Sequence, residues 1–350
     1  MYSPSASPTA SDCFLHPEHK SYIYMANPSV SVIIPFYNAE TTLEKTLASL
    51  AAQTYRDIQI VLVNDGSTDG STDVIERFTA CNGDFPYPPV LITLNGKQGV
   101  ATARAAGLEN ATGDYVIHCD ADDYMHPSYI QQLYDTARMY DADVVVSGMT
   151  YVYGERTKVV PQLIATKQGA PHATLNELPI NTSTFTLCCK LIRRDFIISN
   201  DIAFFSGVDR WEDLGFVTQV LALNPVIASC SLAGYYYVQH DRGKSLSRSK
   251  SELLLRDHLM MALMIEEWMM ERGVHDRYEH FLTYLKYVAK IKYLRCKPRD
   301  VAKWKQTFPE VNGRIMSLTH VPLVVRMLTR LVAVLPTKLS QAVANIADSL

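Results

Sequence analysis

The sequence predicts an α/β fold, in which helices flank a mostly parallel sheet and a helical C-terminal region follows. Two patterns predict it: apolar, β-branched runs alternate with helical repeats up to about residue 150, and helical repeats alone continue beyond residue 250. Runs that are apolar on both faces are typical of parallel strands covered by helices on both sides. With 350 residues, of which 47% are hydrophobic and 20% charged, the chain can bury a large core.

The individual elements follow one another in the order strand, helix, strand. The predicted strands are 30–35, 58–63, 90–94, 115–119 and 142–147. The helical repeats between them place apolar residues three or four positions apart: Leu43, Leu47 and Leu50; Val74, Ile75 and Phe78 after Ser71; and Ile130, Leu133 and Ala137 after Pro127. This β-α-β-α order predicts a mostly parallel sheet.

Charge and cysteine content exclude several classes of protein. The formal charge of -3 argues against a dedicated nucleic-acid-binding protein, so no nucleic-acid partner is expected. The charge is uneven, because residues 250–350 hold 16 Lys and Arg against 10 Asp and Glu, whereas residues 1–249 hold 17 against 26. Seven cysteines without a C-x-x-C pair indicate neither a disulfide framework nor a zinc site, and reduced thiols in a cytoplasmic protein are expected.

The chain divides into three predicted parts. Residues 1–29 lack the cationic start and apolar core of a signal peptide, and they are interpreted as a disordered leader or as the product of a start codon assigned too early. Residues 30–248 form the predicted main domain, with ligand binding in 30–150 and the rest of the site in 151–248. Residues 249–350 form the basic helical region, and no apolar stretch reaches the roughly 18 residues of a membrane span.

Polar clusters follow four of the predicted strands. They are 35–38, 64–69, 95–99 and 120–123. Ligands of parallel sheets bind beyond the carboxyl ends of the strands, where these clusters should meet. Any single cluster is explained equally well by turn formation or helix capping, but four at one edge predict a ligand site.

The densest cluster holds Asp120, Asp122 and Asp123 directly after a predicted strand. Neighbouring carboxylates repel one another, and a divalent cation relieves that repulsion. Oxygen ligands select Mg²⁺ or Mn²⁺, ions that commonly also bind substrate phosphates. Since neither G-x-x-x-x-G-K-[ST] nor G-x-G-x-x-G occurs, a diphosphate held by a metal ion is the better interpretation.

Several segments together resemble family 2 glycosyltransferases of the GT-A fold. They are VSVIIPFYNAETTLEKTLASLAAQTYRDIQIVLVNDGSTDGSTDVI (30–75), QGVATARAAGLENATGDYVIHCDADD (98–123), CCKLIRRDFI (188–197), WEDLGF (211–216) and YYYVQHDRGKSLS (235–247). Each segment alone is a modest signal, whereas their order and spacing are specific. The resemblance implies a GT-A-type sheet and a metal-dependent, inverting enzyme.

The resemblance also implies roles for individual residues. It assigns Pro35, Tyr37 and Asp65 to the base and ribose pocket. Asp120 and Asp122 match the D-x-D pair, in which Asp120 would contact the donor and Asp122 would hold the metal ion on the diphosphate, and Asp213 matches the general base. Arg104 would line the donor pocket and face a phosphate or a carboxylate. His240 would complete the shell of Mn²⁺ or Mg²⁺, although a lone histidine is more often a hydrogen-bonded surface or core residue. On the acceptor side, Glu212 precedes the base and Trp211 stacks on a sugar or packs as an ordinary aromatic residue.

The expected activity is transfer of a sugar from a nucleotide diphosphate, expected to be UDP, to a hydroxyl of a glycan or lipid-linked acceptor. Cell-surface polysaccharide synthesis is the expected setting. Two alternatives remain: a sugar-phosphate nucleotidylyltransferase, and a non-catalytic nucleotide-sugar-binding partner subunit. The first would need a glycine-rich loop after the first strand, where the sequence has Pro35-Phe36-Tyr37-Asn38.

Two basic segments leave further alternatives open. Residues 321–335 combine aliphatic residues with Arg326 and Arg330, a profile typical of an interfacial helix and also of a packed one. The basic C-terminal helices are therefore expected either to contact the inner face of the plasma membrane peripherally or to pack within the protein or a dimer. Lys190, with the arginines that follow it, is interpreted as part of a solvated turn, and contact with an anionic acceptor is the alternative.

Overall fold

The computed structural model describes residues 29–81, 86–162, 164, 175–180, 182–239, 252–295 and 298–346. These residues contain a single mixed sheet. Its strands are β1 (Val30–Phe36), β2 (Ile58–Asn64), β3 (Val90–Thr93), β4 (Tyr115–His118), β5 (Tyr124–Met125), β6 (Val144–Tyr153), β7 (Arg156–Val160), β8 (Lys190–Arg193) and β9 (Ile227–Val238).

The sheet joins a parallel half to a mixed half. The strand order is β3-β2-β1-β4-β8-β6-β9-β5, and β7 pairs with β6. Strands β1 to β4 run parallel, with Val30 opposite both Ile58 and Tyr115. Strand β8 is antiparallel to β4 and β6, and β9 lies parallel to β6. The parallel half is the predicted β-α-β unit. The sequence did not predict the strands of the mixed half, apart from the start of β6.

Helices cover both faces of the sheet and make up the C-terminal region. They are α1 (Leu43–Ala51), α2 (Ser71–Cys81), α3 (Val100–Glu109), α4 (Tyr129–Tyr140), α5 (Thr182–Phe185), α6 (Arg194–Ser199), α7 (Glu212–Ala222), α8 (Glu252–Glu271), α9 (Glu279–Lys290), α10 (Lys292–Arg295), α11 (Val301–Gln306), α12 (Pro309–Arg314), α13 (Leu323–Val334) and α14 (Thr337–Ile346). None of the described helices combines the length and hydrophobicity needed to cross a bilayer.

The alternation of side chains along β1 explains why the sheet has two cores. Val32 and Ile34 pack in the core that contains Leu43 and Leu47 of α1. Ile33 belongs to the opposite core. Both faces of the strand are therefore buried, as its unbroken apolar run predicts.

The C-terminal helices extend one of these cores. Met261 and Ile265 of α8 and Phe281 of α9 belong to the same cluster as Phe216 of α7. Helices α9 to α14 add a further cluster around Trp304. The proposed boundary between residues 248 and 249 lies outside the described residues and stays a prediction.

Candidate active site

The carboxyl ends of β1, β2 and β4 lie side by side, because these parallel strands are in register from Val30 onward. The polar segments that follow them consequently meet at one edge of the sheet. Pro35 is buried within β1, and Tyr37, just beyond the strand, is 39% exposed. The Lys97 ammonium lies 3.7 Å from the centre of the Tyr37 ring.

Asp65 fixes the loop that follows β3. Its carboxylate accepts hydrogen bonds from the backbone N–H of Gln98 at 2.6 Å and of Gly99 at 3.0 Å. Gly66 has φ of 74°, and a Cβ there would lie 2.6 Å from the Gly96 carbonyl carbon. Glycine thus permits both the left-handed turn and the close approach of the two loops. Contact of Asp65 with a ribose stays a prediction.

Asp123 has a structural role that its sequence position did not reveal. One of its oxygens accepts a hydrogen bond from the Tyr235 hydroxyl at 2.7 Å, and the other accepts one from the Val238 N–H at 2.7 Å. Beneath it, the Thr46 hydroxyl lies 2.7 Å from the Asp123 carbonyl oxygen. Asp123 therefore ties β9 to the turn after β4, while Asp120 and Asp122 remain partly exposed.

Arg104, on α3, is the centre of the candidate site. Its side chain is only 4% exposed, and its guanidinium contacts three carboxylates. Nη2 lies 2.9 Å from Asp120 and 3.5 Å from Asp213, and Nε lies 3.7 Å from Glu212. The guanidinium thus faces carboxylates here, and its contact with a donor phosphate stays a prediction. It brings Asp120 and Asp213 together although they are far apart in the chain.

Asp213 lies in the first turn of α7 and is held from one side. Its Oδ2 accepts hydrogen bonds from the Leu187 N–H at 3.2 Å and the Thr186 hydroxyl at 3.3 Å. The Thr186 carbonyl in turn accepts a hydrogen bond from the Lys190 ammonium at 2.6 Å. Oδ1 has no hydrogen-bond partner among the described residues. The prediction of a solvated turn is wrong for Lys190. This residue is only 2% exposed, and its ammonium donates a hydrogen bond within the turn that holds Asp213.

The charges at this site do not balance. Burial raises the pKa of the Asp120 carboxyl, and the Asp122 and Asp213 carboxylates add to that effect while Arg104 opposes it. Burial and the neighbouring Asp213 carboxylate also raise the pKa of Glu212 well above its usual range. One guanidinium faces three carboxylates, so the site favours additional positive charge.

The acids at the sheet edge offer only a partial site for a metal ion. Within the described ranges, no group of three or more His, Cys, Asp or Glu residues could hold a metal ion. His240, the other predicted ligand, lies outside the described residues. Mg²⁺ and Mn²⁺ commonly bind through one or two carboxylates together with water and phosphate oxygens. Asp122 and the second oxygen of Asp120 fit that type of site.

Trp211 packs against the C-terminal region. Its ring stacks on the imidazole of His258 in α8, with centroids 3.9 Å apart and an angle of 13° between the planes. One face of the indole is thus covered by the protein, and stacking on an acceptor sugar stays a prediction. No sequence signal links these two residues, which are separated by almost fifty positions.

Comparison with known proteins assigns the chain to a family. The model of glycosyl transferase family 2 matches residues 31–199. An uncharacterized glycosyltransferase of Haemophilus influenzae is 31% identical over 185 residues, which are 52% of this chain and 72% of that protein. The chain belongs to glycosyl transferase family 2. The cholesterol galactosyltransferase of Borreliella burgdorferi is 31% identical over 236 residues, 64% of this chain and 63% of that protein, so the chain spans less than two thirds of its length.

Solved structures confirm the GT-A-type fold of this family 2 glycosyltransferase. Residues 1-349 of S. aureus TarS, in complex with UDP-GlcNAc, superpose with a TM-score of 0.71 at 20% identity and cover 92% of both chains. The mannosyltransferase PcManGT from Pyrobaculum calidifontis, in complex with GDP-Man and Mn²⁺, gives a TM-score of 0.50 at 14% identity and covers 93% of this chain and 89% of its own. At these identities the likeness concerns the fold alone.

Proposed function

We propose that this family 2 glycosyltransferase moves a sugar from a UDP-linked donor to a hydroxyl of a glycan or lipid-linked acceptor, with inversion at the anomeric carbon. Cell-surface polysaccharide synthesis, in the cytoplasm and at the inner face of the plasma membrane, is the proposed setting. One observation carries the proposal: Asp213 directs an oxygen without a hydrogen-bond partner among the described residues toward the guanidinium that also holds Asp120. The Asp213 carboxylate thus lies beside the proposed donor site.

Asp213 is the proposed general base. The acceptor hydroxyl attacks the anomeric carbon while the bond to the nucleotide diphosphate breaks on the opposite face. Oδ1 takes the hydroxyl proton, an effect worth about 10²- to 10⁴-fold in rate. The hydrogen bonds from Leu187 and Thr186 to Oδ2 keep the carboxylate oriented. A single displacement inverts the centre and needs no covalent nucleophile.

Asp122 is the proposed ligand of Mn²⁺ or Mg²⁺, with His240 as a further proposed ligand, and Asp120, the other member of the D-x-D pair, is the proposed contact with the donor. Such an ion neutralises charge on the diphosphate. The excess of carboxylates over the single Arg104 guanidinium supports a cation here, as does the Mn²⁺ in the PcManGT complex. Arg104 orients Asp120, because its Nη2 lies 2.9 Å from Oδ1 of that carboxylate.

The two sides of the site receive different proposed roles. Residues 30–150 bind the nucleotide sugar, with Pro35, Tyr37 and Asp65 around the base and ribose. Residues 151–248 supply the acceptor side, where Trp211 and Glu212 adjoin the base. The UDP-GlcNAc in the TarS complex supports a nucleotide-sugar donor.

Donor binding tests the proposal most directly. We expect UDP-sugars to raise the melting temperature in the presence of Mn²⁺ or Mg²⁺ and to do so much less in EDTA, because ligand binding to the folded state stabilises it. Asp122→Asn should abolish the metal-dependent part of the shift, whereas Asp276→Asn, at an exposed position of the C-terminal region, should not. Equal shifts with and without metal would refute the metal proposal, and the absence of any shift across a nucleotide-sugar panel would refute the donor assignment. Product formation then separates a transferase from a binding subunit.

The exposed face of α13 supports the proposed contact with the membrane. Leu323, Val324, Met327, Leu331 and Val334 are between 44% and 58% exposed. The segment 311–346 contains four Lys and Arg and no Asp or Glu. An apolar helix face within a basic segment suits an anionic lipid surface.

Vesicle flotation tests this contact. The wild-type protein should float with anionic vesicles, and the triple variant Leu323→Ser, Met327→Ser, Leu331→Ser should float much less because its apolar face is polar. Phosphatidylcholine vesicles serve as the comparison for the electrostatic part. Equal flotation of both proteins, with melting temperatures unchanged, would exclude α13 as the contact.

A further inference from the structure

The turn that leads into α7 has an unusual backbone. Trp211 has φ of 67°, in the left-handed region that bulky residues rarely adopt. Such a conformation persists only where the surroundings impose it. Because the Gly215 N–H donates to the Trp211 carbonyl at 2.8 Å, this residue also begins the helical turn that carries Glu212 and Asp213. The orientation of the proposed base therefore depends on how Trp211 is held.

One contact of the turn reaches the donor side. The Asp209 carboxylate lies close to the backbone N–H of Ala101, at the start of α3. Gly99, at the N-cap of α3, makes no side-chain capping bond, and a Cβ there would collide with the Asp209 carboxylate. Asp209 thus packs against the N-terminal end of the helix that carries Arg104.

A second contact reaches the C-terminal region. The His258 imidazole lies under the Trp211 indole at 3.9 Å, and His258 is 5% exposed. Burial, with Lys292 and Arg210 nearby, lowers the pKa of His258 to about 3, so the ring is neutral. Its Nδ1 has no hydrogen-bond partner among the described residues. The flat ring, rather than a hydrogen bond from Nδ1, is what His258 contributes here.

We propose that His258 is a positioning residue for the transfer step. Its ring holds Trp211 in the left-handed conformation, and Asp209 holds the same turn against α3, so that Asp213 keeps a fixed position relative to Arg104. This inference rests on the proposed role of Asp213 as the base. It makes α8 part of the acceptor side of the site, while the proposed donor-binding residues lie on other elements.

The proposal predicts a separation of kcat from the donor KM. His258→Ala removes the stacked ring, and we expect kcat for transfer to fall between about tenfold and a hundredfold because small displacements of a reacting group are costly. The donor KM should stay within about twofold, since Tyr37, Asp65 and Asp122 are untouched. His258→Phe keeps a flat ring and should restore kcat to within about threefold of wild type. Met260→Ala, at an exposed position of α8, is the matched control.

A spectroscopic measurement tests the turn without turnover. The chain has three tryptophans, so protein labelled with 5-fluorotryptophan gives three ¹⁹F signals, and Trp211→Phe identifies that of Trp211. His258→Ala should move, broaden or split this signal, and His258→Phe should restore a single line. Melting temperatures of all variants show whether they are folded.

The outcomes distinguish this inference from the proposed function. If the Trp211 signal responds to His258→Ala but the wild-type protein transfers no sugar, the packing of the turn is confirmed and the proposed function fails. If the wild-type protein is active and neither the signal nor kcat responds to His258→Ala, the inference is overturned. Equal loss of kcat in the Ala and Phe variants would also overturn it, because a flat ring at position 258 would then not be enough to position Trp211.

Discussion

Two sets of acids at the same sheet edge differ in how their oxygens are satisfied. Asp65 accepts backbone hydrogen bonds with both oxygens, and Asp123 accepts one hydrogen bond on each. Asp120 and Asp213 instead share the guanidinium of Arg104. Oxygens that accept hydrogen bonds from neutral donors, Oδ2 of Asp213 among them, hold loops in place. The oxygens of Asp120 and Asp213 that share the guanidinium can instead respond to a ligand.

Asp213→Asn should give the largest effect. The amide keeps an oxygen for the Leu187 N–H but cannot take a proton, so we expect kcat to fall by about 10²- to 10⁴-fold. Donor affinity, measured by calorimetry, should change little. Asp135→Asn on the exposed face of α4 is the control. Transfer at the wild-type rate would remove Asp213 from the mechanism.

Arg104→Lys tests whether activity requires the planar guanidinium of Arg104 or only its positive charge. An ammonium cannot reproduce the planar contacts with Asp120 and Asp213 together, so we expect kcat to fall by roughly 10²-fold. Exposed Arg138→Lys should behave like wild type. Full activity of Arg104→Lys in a steady-state assay would mean that simple neutralisation suffices.

Asp123→Asn should affect stability first. One of its two acceptors becomes a donor, and either the Tyr235 hydroxyl or the Val238 N–H loses its partner. We expect the free energy of unfolding, measured in urea, to fall by about 1–3 kcal/mol. Asp122→Asn, one position earlier and partly exposed, should cost much less. Equal destabilisation by the two variants would contradict the contrast between the two sets.

Glu212→Gln should give the smallest effect, and the effect should depend on pH. The raised pKa of Glu212 means that its contribution to stability is fully present below its ordinary pKa of 4.5 and is lost as the pH rises through the raised value. Glutamine does not titrate, so the melting temperature of the variant should gain on that of wild type as the pH increases from about 4.5. Melting curves at several pH values measure this, and a melting temperature of the variant that falls relative to that of wild type as the pH rises would contradict it.

The sequence predicts the parallel half of the fold well because each strand carries its own signal. The strand predicted at 30–35 is observed as Val30–Phe36, and the one predicted at 58–63 is observed as Ile58–Asn64. Strands β5 and β9 lacked such a signal: β5 has two residues and exists by pairing Tyr124 with Tyr236. The formation of β5 depends on a partner more than a hundred positions away, and β9 pairs with β6, which lies more than eighty positions away. No local pattern encodes either pairing.

The candidate site divides in the same way. The motifs identified Asp120, Arg104 and Asp213, which the structure brings together, although their roles stay predictions. The sequence did not reveal that Arg104 joins the acids, that Asp123 is structural or that His258 supports Trp211. Each of these depends on contacts between distant elements, which the type of residue alone does not specify.

The late position of β9 in the chain bears on biosynthesis. Synthesis from the N-terminus completes β1 to β4 long before Tyr235 and Val238 leave the ribosome, and domains fold as units. Until then Asp123 lacks both of its donors, and the turn that carries Asp120 and Asp122 has no closing strand. We therefore expect the proposed donor site to form only after β9 has been synthesised, and a chain that ends before β9 to lack it.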